Sequence, residues 1–163
     1  MKIAIISDIH DNLVNLQKCL NYINNKNIRQ TICCGDVTNK GTLEFLNKNF
    51  PAPIHLVRGN MEVYNGDDLM GLDNIKYYGR TGIFKIGEYA LGFCHEPYLI
   101  ETLARAGKCD MIFYGHTHKP WTEKKEGILT INPGNIAGTM YRATFAVWDT
   151  DNGKLELINL DEL

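Results

Sequence analysis

The chain opens on an apolar run, Lys2 to Ser7, that ends abruptly at Asp8. A run this short and uniformly apolar reads as a strand buried on both faces. Asn12 then stands where a helix N-cap belongs. Leu13, Leu16, Leu20 and Ile23 recur at helical spacing, which predicts a helix over 12–27. Thr31 to Cys34 is a second short strand ending at Gly35-Asp36, and Thr42 to Asn49 is a modest helix stopped before Pro51. Ile54 to Val57 is a third strand, running into Arg58-Gly59-Asn60. This β-α-β-α-β order predicts parallel strands joined by helical crossovers.

The second half is patterned differently. Ile75–Tyr78, Ile83–Ile86 and Tyr89–Cys94 read as strands, with Gly87-Glu88 a two-residue turn of the type that places Gly first. Pro97 precedes a helix expected over Tyr98–Ala106, and Met111–Tyr114 is another buried strand. Ala143–Trp148 and Leu155–Leu160 flank Asp151-Asn152-Gly153, a strong hairpin signal. Met61–Asp73 and Lys119–Ile128 are assigned no regular element and are expected to set pocket specificity. The pattern predicts one α/β domain over residues 1–163, a four-layer α-β-β-α sandwich of two mixed sheets with flanking helices.

Composition narrows the function classes. A chain of 163 residues buries roughly 70% of its unfolded surface, so its core needs no disulfide support. The five cysteines are odd in number and form no C-x-x-C pair, which argues against both a disulfide framework and a thiolate zinc site. They fit reduced thiols, and a cytoplasmic protein is the expectation. The opening run is too short for a signal-peptide core, and no apolar window is long enough to span a membrane. With a net charge of −2 and no Lys/Arg run longer than two, the chain shows no nucleic-acid footprint.

Chemistry concentrates just past the strand ends. Asp8 and His10 follow the first strand, Asp36 the second and Asn60 the third. His95 follows the strand ending at Cys94, and His116 and His118 the one ending at Tyr114. In open α/β sheets this is where loops converge on a ligand. Two carboxylates, one amide and four imidazoles packed together without a cation would leave costly unpaired groups. With divalent transition metals the same set becomes a site. Seven donors suit two ions sharing a ligand better than one tetrahedral ion, and Asp36, alone after a Gly in the central loop, is the candidate bridge. His55 lies inside a strand and reads as structural.

Asp8-x-His10, Gly35-Asp36, Gly59-Asn60-x-Glu62, His95 and Gly115-His116-x-His118 together resemble the five motifs of the calcineurin-like metallophosphoesterases, in particular their small bacterial and archaeal phosphodiesterase subgroup. The resemblance runs from residue 1 to about 137. It implies that Asp8, His10, Asp36 and His118 hold one ion and that Asp36, Asn60, His95 and His116 hold the other, with a water or hydroxide between them. It makes Asn60, His95 and His116 the candidate catalytic residues. The implied cofactors are two divalent ions, manganese first, with iron, zinc, nickel or cobalt open to the same ligands. The implied reaction is hydrolysis of a small or nucleotide-like phosphodiester, and the implied assembly a homodimer. The same fold also serves as a non-catalytic protein-binding scaffold, and the same site as a nuclease or phosphomonoesterase; these are the alternative readings.

Three positions depart from the family pattern. Met61 stands where many larger members carry a His thought to protonate the leaving group; the small subgroup often has Cys there. Glu96 replaces the usual Gly after His95, and Asn135 replaces the common Ser after Asn132-Pro133-Gly134. Glu62 keeps the motif's acidic position and is expected to orient a metal-ligand His or its loop.

Overall fold

The computed structural model describes residues 1–107, 109–125 and 127–163. Its first strand, β1 (Lys2–Ile6), shows why the opening run is apolar throughout. Ile3 and Ile5 face a second sheet, while Ala4 and Ile6 face helices, and all four are fully buried. The order continues α1 (Leu13–Asn25), β2 (Thr31–Cys33), α2 (Lys40–Asn49), β3 (Ile54–Leu56), β4 (Ile75–Tyr77), β5 (Thr81–Ile86) and β6 (Tyr89–Cys94). It ends α3 (Ile100–Ala106), β7 (Met111–Phe113), β8 (Trp121–Lys125), β9 (Ile128–Asn132), β10 (Thr144–Asp149) and β11 (Leu155–Asn159).

Six strands form one sheet in the order β11-β10-β1-β2-β3-β4, and five form the other in the order β5-β6-β7-β9-β8. Each is mixed. The centre of the first is parallel (β1 to β4) with an antiparallel pair at one edge; the second is parallel across β6, β7 and β9 with antiparallel strands at both edges. One apolar cluster lies between α1, α2 and the first sheet, another between the two sheets, and a smaller one between α3 and the second sheet. This is the expected four-layer order, with a fourth layer thinned to one seven-residue helix.

Local signals explain the elements. The Asn12 side chain accepts the Asn15 N–H at 3.1 Å and starts α1. Asn39 does the same for Thr42 at 3.1 Å, so α2 begins two residues before the Thr42 expected from sequence. Gly87 has φ +57 and Glu88 does not share it, the pattern of a turn that needs Gly first. The segment expected as one helix over Tyr98–Ala106 is a 3-10 turn at Pro97–Leu99 followed by α3.

The largest difference is the β8–β9 hairpin. The composition of Lys119–Ile128 predicts no regular element, yet Trp121–Lys125 pairs antiparallel with Ile128–Asn132. Glu123 and Lys124 give the edge strand a loop-like composition, and charged side chains are how exposed edges avoid further pairing.

His55 is structural, as expected. It is 4% exposed, stacks on Phe84 with ring centroids 3.8 Å apart, and bonds Tyr78 Oη at 2.9 Å and Gln30 Oε1 at 3.0 Å. Burial, with a smaller push from Lys76, lowers its pKa to about 4 from an ordinary 6.5. The unfolded chain therefore binds the extra proton first, so stability falls as pH drops from about 6.5 towards 4. The melting temperature of His55→Phe should decline less than wild type over that interval. Parallel curves would show that another group carries the acid sensitivity.

Candidate metal centre

The five loops that follow β1, β2, β3, β6 and β7 meet at one end of the sandwich. Their backbones are unusual: Asp8, His10, Asp11, Asp36, His116 and His118 all have φ between +44 and +69. Non-glycine residues rarely sit there, and such strain persists only where surrounding contacts enforce it. Two glycines let the loops close in. A Cβ on Gly59 would overlap the Asp36 carboxylate and backbone nitrogen, and one on Gly115 would overlap Ser7 Oγ and crowd Asp8 Oδ2.

Within this junction all seven expected donors converge. His10 Nε2 is 3.2 Å from His118 Nε2, 3.8 Å from Asp8 Oδ1 and 3.6 Å from Asp36 Oδ2. His118 Nε2 lies 3.3 Å from Asp8 Oδ1. On the other side, His95 Nε2 lies 3.2 Å from Asp36 Oδ2 and 2.9 Å from Asn60 Oδ1, which is also 2.8 Å from His116 Nδ1. Asp8, His10 and His118 form one compact set of ligand atoms; Asp8, Asp36 and His95 form another. Asp8 belongs to both sets, so the shared carboxylate chemistry is not confined to Asp36.

The donor set fits a cation. His95 Nδ1 donates to the Cys34 carbonyl at 2.8 Å, which leaves Nε2 as a bare lone pair aimed at two acceptor oxygens. His118 Nδ1 is likewise taken by Thr139 Oγ1 at 3.0 Å, and its Nε2 faces another ring nitrogen and a carboxylate. Lone pairs that face each other need a proton or a metal between them. Burial works against a charged His95 ring, but the Asp36 and Asp8 carboxylates outweigh it and raise its pKa. The hydrogen bond to Asp8 does the same for His118. Burial pushes the Asp8 carboxyl up, yet hydrogen bonds from His10 and His118 hold it well below the usual carboxylate range. A divalent cation held by these residues would take the place of a proton on His95 and His118.

The surroundings fix the donors. Asp36 Oδ1 accepts the Met61 N–H at 2.9 Å, and Oδ2 faces the imidazoles of His10 and His95. Glu62 accepts three backbone N–H groups, from Val37 (3.2 Å), Thr38 (2.7 Å) and Gly59 (3.2 Å). It therefore ties the Asp36 loop to the Asn60 loop rather than holding a His. Glu62→Ala should weaken metal binding by about 10–100-fold in a metal titration, with Glu62→Gln, which keeps one acceptor oxygen, losing less. Equal affinity in wild type and Glu62→Ala would remove the carboxylate from the architecture of the site.

Some supporting residues carry no sequence signal of their role. Asn135, fully buried, donates to the His118 carbonyl at 3.1 Å and accepts the Thr139 N–H at 3.0 Å, so it braces the loop that carries His118. Asn132 donates to the Gly115 carbonyl at 2.8 Å. Thr139 belongs to no motif and became visible only through its contact with His118. Asn12, legible in the sequence as the cap of α1, also donates to the Ala137 carbonyl at 2.9 Å, a contact with no such signal. All five cysteines are buried and free; burial raises the thiol pKa of Cys33 and Cys34, which suits inert core residues.

No helix is long and apolar enough to cross a membrane among the described residues. The profile of the calcineurin-like phosphoesterase superfamily domain matches residues 1–153. A phosphodiesterase of Methanocaldococcus jannaschii is 28% identical over 99% of this chain and 100% of its own length. Vacuolar protein sorting-associated protein 29 of Schizosaccharomyces pombe is 30% identical, over 68% of this chain and 57% of its own. The solved structure of an archaeal phosphodiesterase superposes with a TM-score of 0.87 at 26% identity, covering 98% of this chain and 99% of that one. The motif-bearing loops, the sandwich and these likenesses agree: the chain belongs to the calcineurin-like phosphoesterase superfamily and is a phosphoester hydrolase.

Proposed function

We propose that the protein is a dinuclear metal-dependent phosphodiesterase acting on a small phosphodiester. The observation that carries this reading is the convergence of bare imidazole nitrogens on carboxylate and amide oxygens at His95, Asp36 and Asn60. Asp8, His10, Asp36 and His118 would hold one ion, and Asp36, Asn60, His95 and His116 the other. Two such cations, when bound, would supply an activated water and neutralise charge on the phosphoryl oxygens. The chain's own part is to hold that arrangement rigid. Cys34 and Thr139 fix the ring orientations of His95 and His118, Met61 N–H holds Asp36 Oδ1, and Glu62 locks the two loops that carry Asp36 and Asn60. Asn60 and His116 are exposed, while Asp8, Asp36 and His95 are buried, so the side open to substrate is the Asn60–His116 side.

Small relatives include a protein named for vacuolar sorting, which keeps a scaffold role in view. Retention of all seven donors in one junction favours catalysis. The deciding experiment is metal analysis of the purified protein, followed by hydrolysis of bis(4-nitrophenyl) phosphate and 4-nitrophenyl phosphate with and without chelator. Near two equivalents of metal and chelator-sensitive cleavage of the diester above the monoester are expected. Manganese should restore activity after chelation. Absence of both metal and turnover would favour a scaffold, and preference for the monoester would favour a phosphatase.

A further inference from the structure

The strand register places an unassigned arginine at the catalytic end. Thr81 pairs with Cys94 across the β5–β6 ladder, so Arg80 and His95 are the next residues outward on neighbouring strands. On its other side the Gly79 carbonyl accepts the Arg58 N–H at 2.7 Å, which joins the Arg80 turn to the loop carrying Asn60. Arg80 thus lies between two of the loops that carry donors. Its guanidinium bonds Glu96 Oε1 at 3.0 Å and the Tyr98 hydroxyl, and sits 5.7 Å from the centre of the Tyr98 ring. Both side chains remain exposed, Arg80 at 58% and Tyr98 at 63%.

This corner accounts for Glu96, the residue that departs from the usual glycine. Glu96 neutralises Arg80 and aims its plane, so the guanidinium is poorly suited to clamp a second anion. What it and Tyr98 still present are flat faces. Tyr98 also forms one wall of a cleft of about 400 Å³ between α3 and the outer face of the second sheet, with Ile100, Ala104, Ile112 and Ile128 as apolar walls. Its polar lining is Glu101, Glu123 and Thr130; no basic side chain among the described residues lines it. Glu101 is paired with Arg105, so Glu123 is the carboxylate that repels a phosphate or carboxylate, while all three groups accept hydrogen bonds from N–H groups. The chemistry that suits both features is a neutral planar ring bearing N–H donors.

We infer that Arg80 and Tyr98 form a stacking subsite for the nucleobase of a nucleoside phosphodiester, with Glu96 as the residue that positions Arg80. The inference rests on the phosphodiesterase reading and names the substrate class that site would take. The scissile P–O bond lies at the metal-ligating loops, and the retained nucleoside reaches from there past the Glu96–Arg80 pair towards Tyr98.

Two esters with the same leaving group test it: thymidine 5′-(4-nitrophenyl phosphate) and methyl 4-nitrophenyl phosphate. In each, water attacks phosphorus, the bond to 4-nitrophenolate breaks, and only the retained group differs. Wild-type protein loaded with manganese should show kcat/KM at least ~10-fold higher for the thymidine ester, as one base–aromatic stack is worth about 1–3 kcal/mol. The difference should lie in KM. Tyr98→Ala and Arg80→Ala should bring the ratio of the two esters towards one, and Tyr98→Phe, which keeps the ring, should preserve it. Glu96→Gln should lower the ratio by loosening Arg80. As a readout independent of turnover, calorimetry should show thymidine 5′-methyl phosphate binding more tightly than dimethyl phosphate, a difference lost in Tyr98→Ala. If wild type cleaves both esters with a ratio near one, or Tyr98→Ala keeps a high ratio, the subsite is wrong while the phosphodiesterase reading stands. If neither ester is cleaved and no metal binds, the phosphodiesterase reading itself has failed and the subsite falls with it.

Discussion

Asp36→Asn is expected to reduce bound divalent metal from close to two equivalents to almost none, and diester hydrolysis by more than ~10²-fold. The Asp36 Oδ2 atom is 3.6 Å from His10 Nε2 and 3.2 Å from His95 Nε2, so it addresses both halves of the centre. Replacing the carboxylate by an amide removes the negative charge that would offset the two cations of the proposed centre. An amide could also turn its NH₂ towards the imidazoles, because Met61 N–H requires the acceptor oxygen to stay at the Oδ1 position. Both consequences act on both ions. His10→Ala should deplete chiefly the ion held with Asp8 and His118, and Asn60→Ala chiefly the one held with His95 and His116. Metal stoichiometry after gel filtration decides the matter. Full occupancy in Asp36→Asn would transfer the shared role to Asp8, the carboxylate common to both compact ligand sets.

How far the sequence foretells this centre depends on the kind of contact involved. Side-chain donors at strand ends are legible because a short apolar strand fixes where the loop begins, and Asp8, Asp36, Asn60, His95 and His116 each follow one. The parallel half of the first sheet is legible for the same reason, since its strands are buried on both faces. The β8 strand is not, because an edge strand needs no apolar face of its own: its Glu123 and Lys124 look like a loop until Ile128–Asn132 pairs with them. Contacts made through the backbone are also hidden. The Cys34 carbonyl that orients His95, and the three N–H groups gathered by Glu62, belong to positions whose side-chain identity says nothing about them. Thr139 and Asn135 act over long separations of chain, and only the fold brings them to His118.

The second large effect concerns the proton that must reach the departing alcohol. Met61 occupies the position at which family members with His carry a candidate acid, and its thioether has no proton to give. Its backbone N–H is spent on Asp36 Oδ1, while its side chain is 53% exposed beside Asn60, so the position is open to the substrate side. General acid assistance is worth about 10²–10⁴-fold when the leaving group needs it. A phenolate leaves as a stable anion and needs little; an alkoxide needs much. Wild-type kcat/KM should therefore fall steeply as leaving-group pKa rises across a series of diesters, and Met61→His should rescue the poorest substrates most, flattening the slope. Exchange at an exposed position should leave the melting temperature close to wild type, which separates the chemical effect from a folding defect. A wild-type slope near zero that Met61→His does not change, with chemistry shown to limit turnover, would mean that another group already protonates the alcohol. Glu96 is the poorest candidate for that role, because one of its oxygens is held by Arg80 and the other is buried. His116, exposed on the substrate side with Nδ1 turned to Asn60, would then be the next residue to replace.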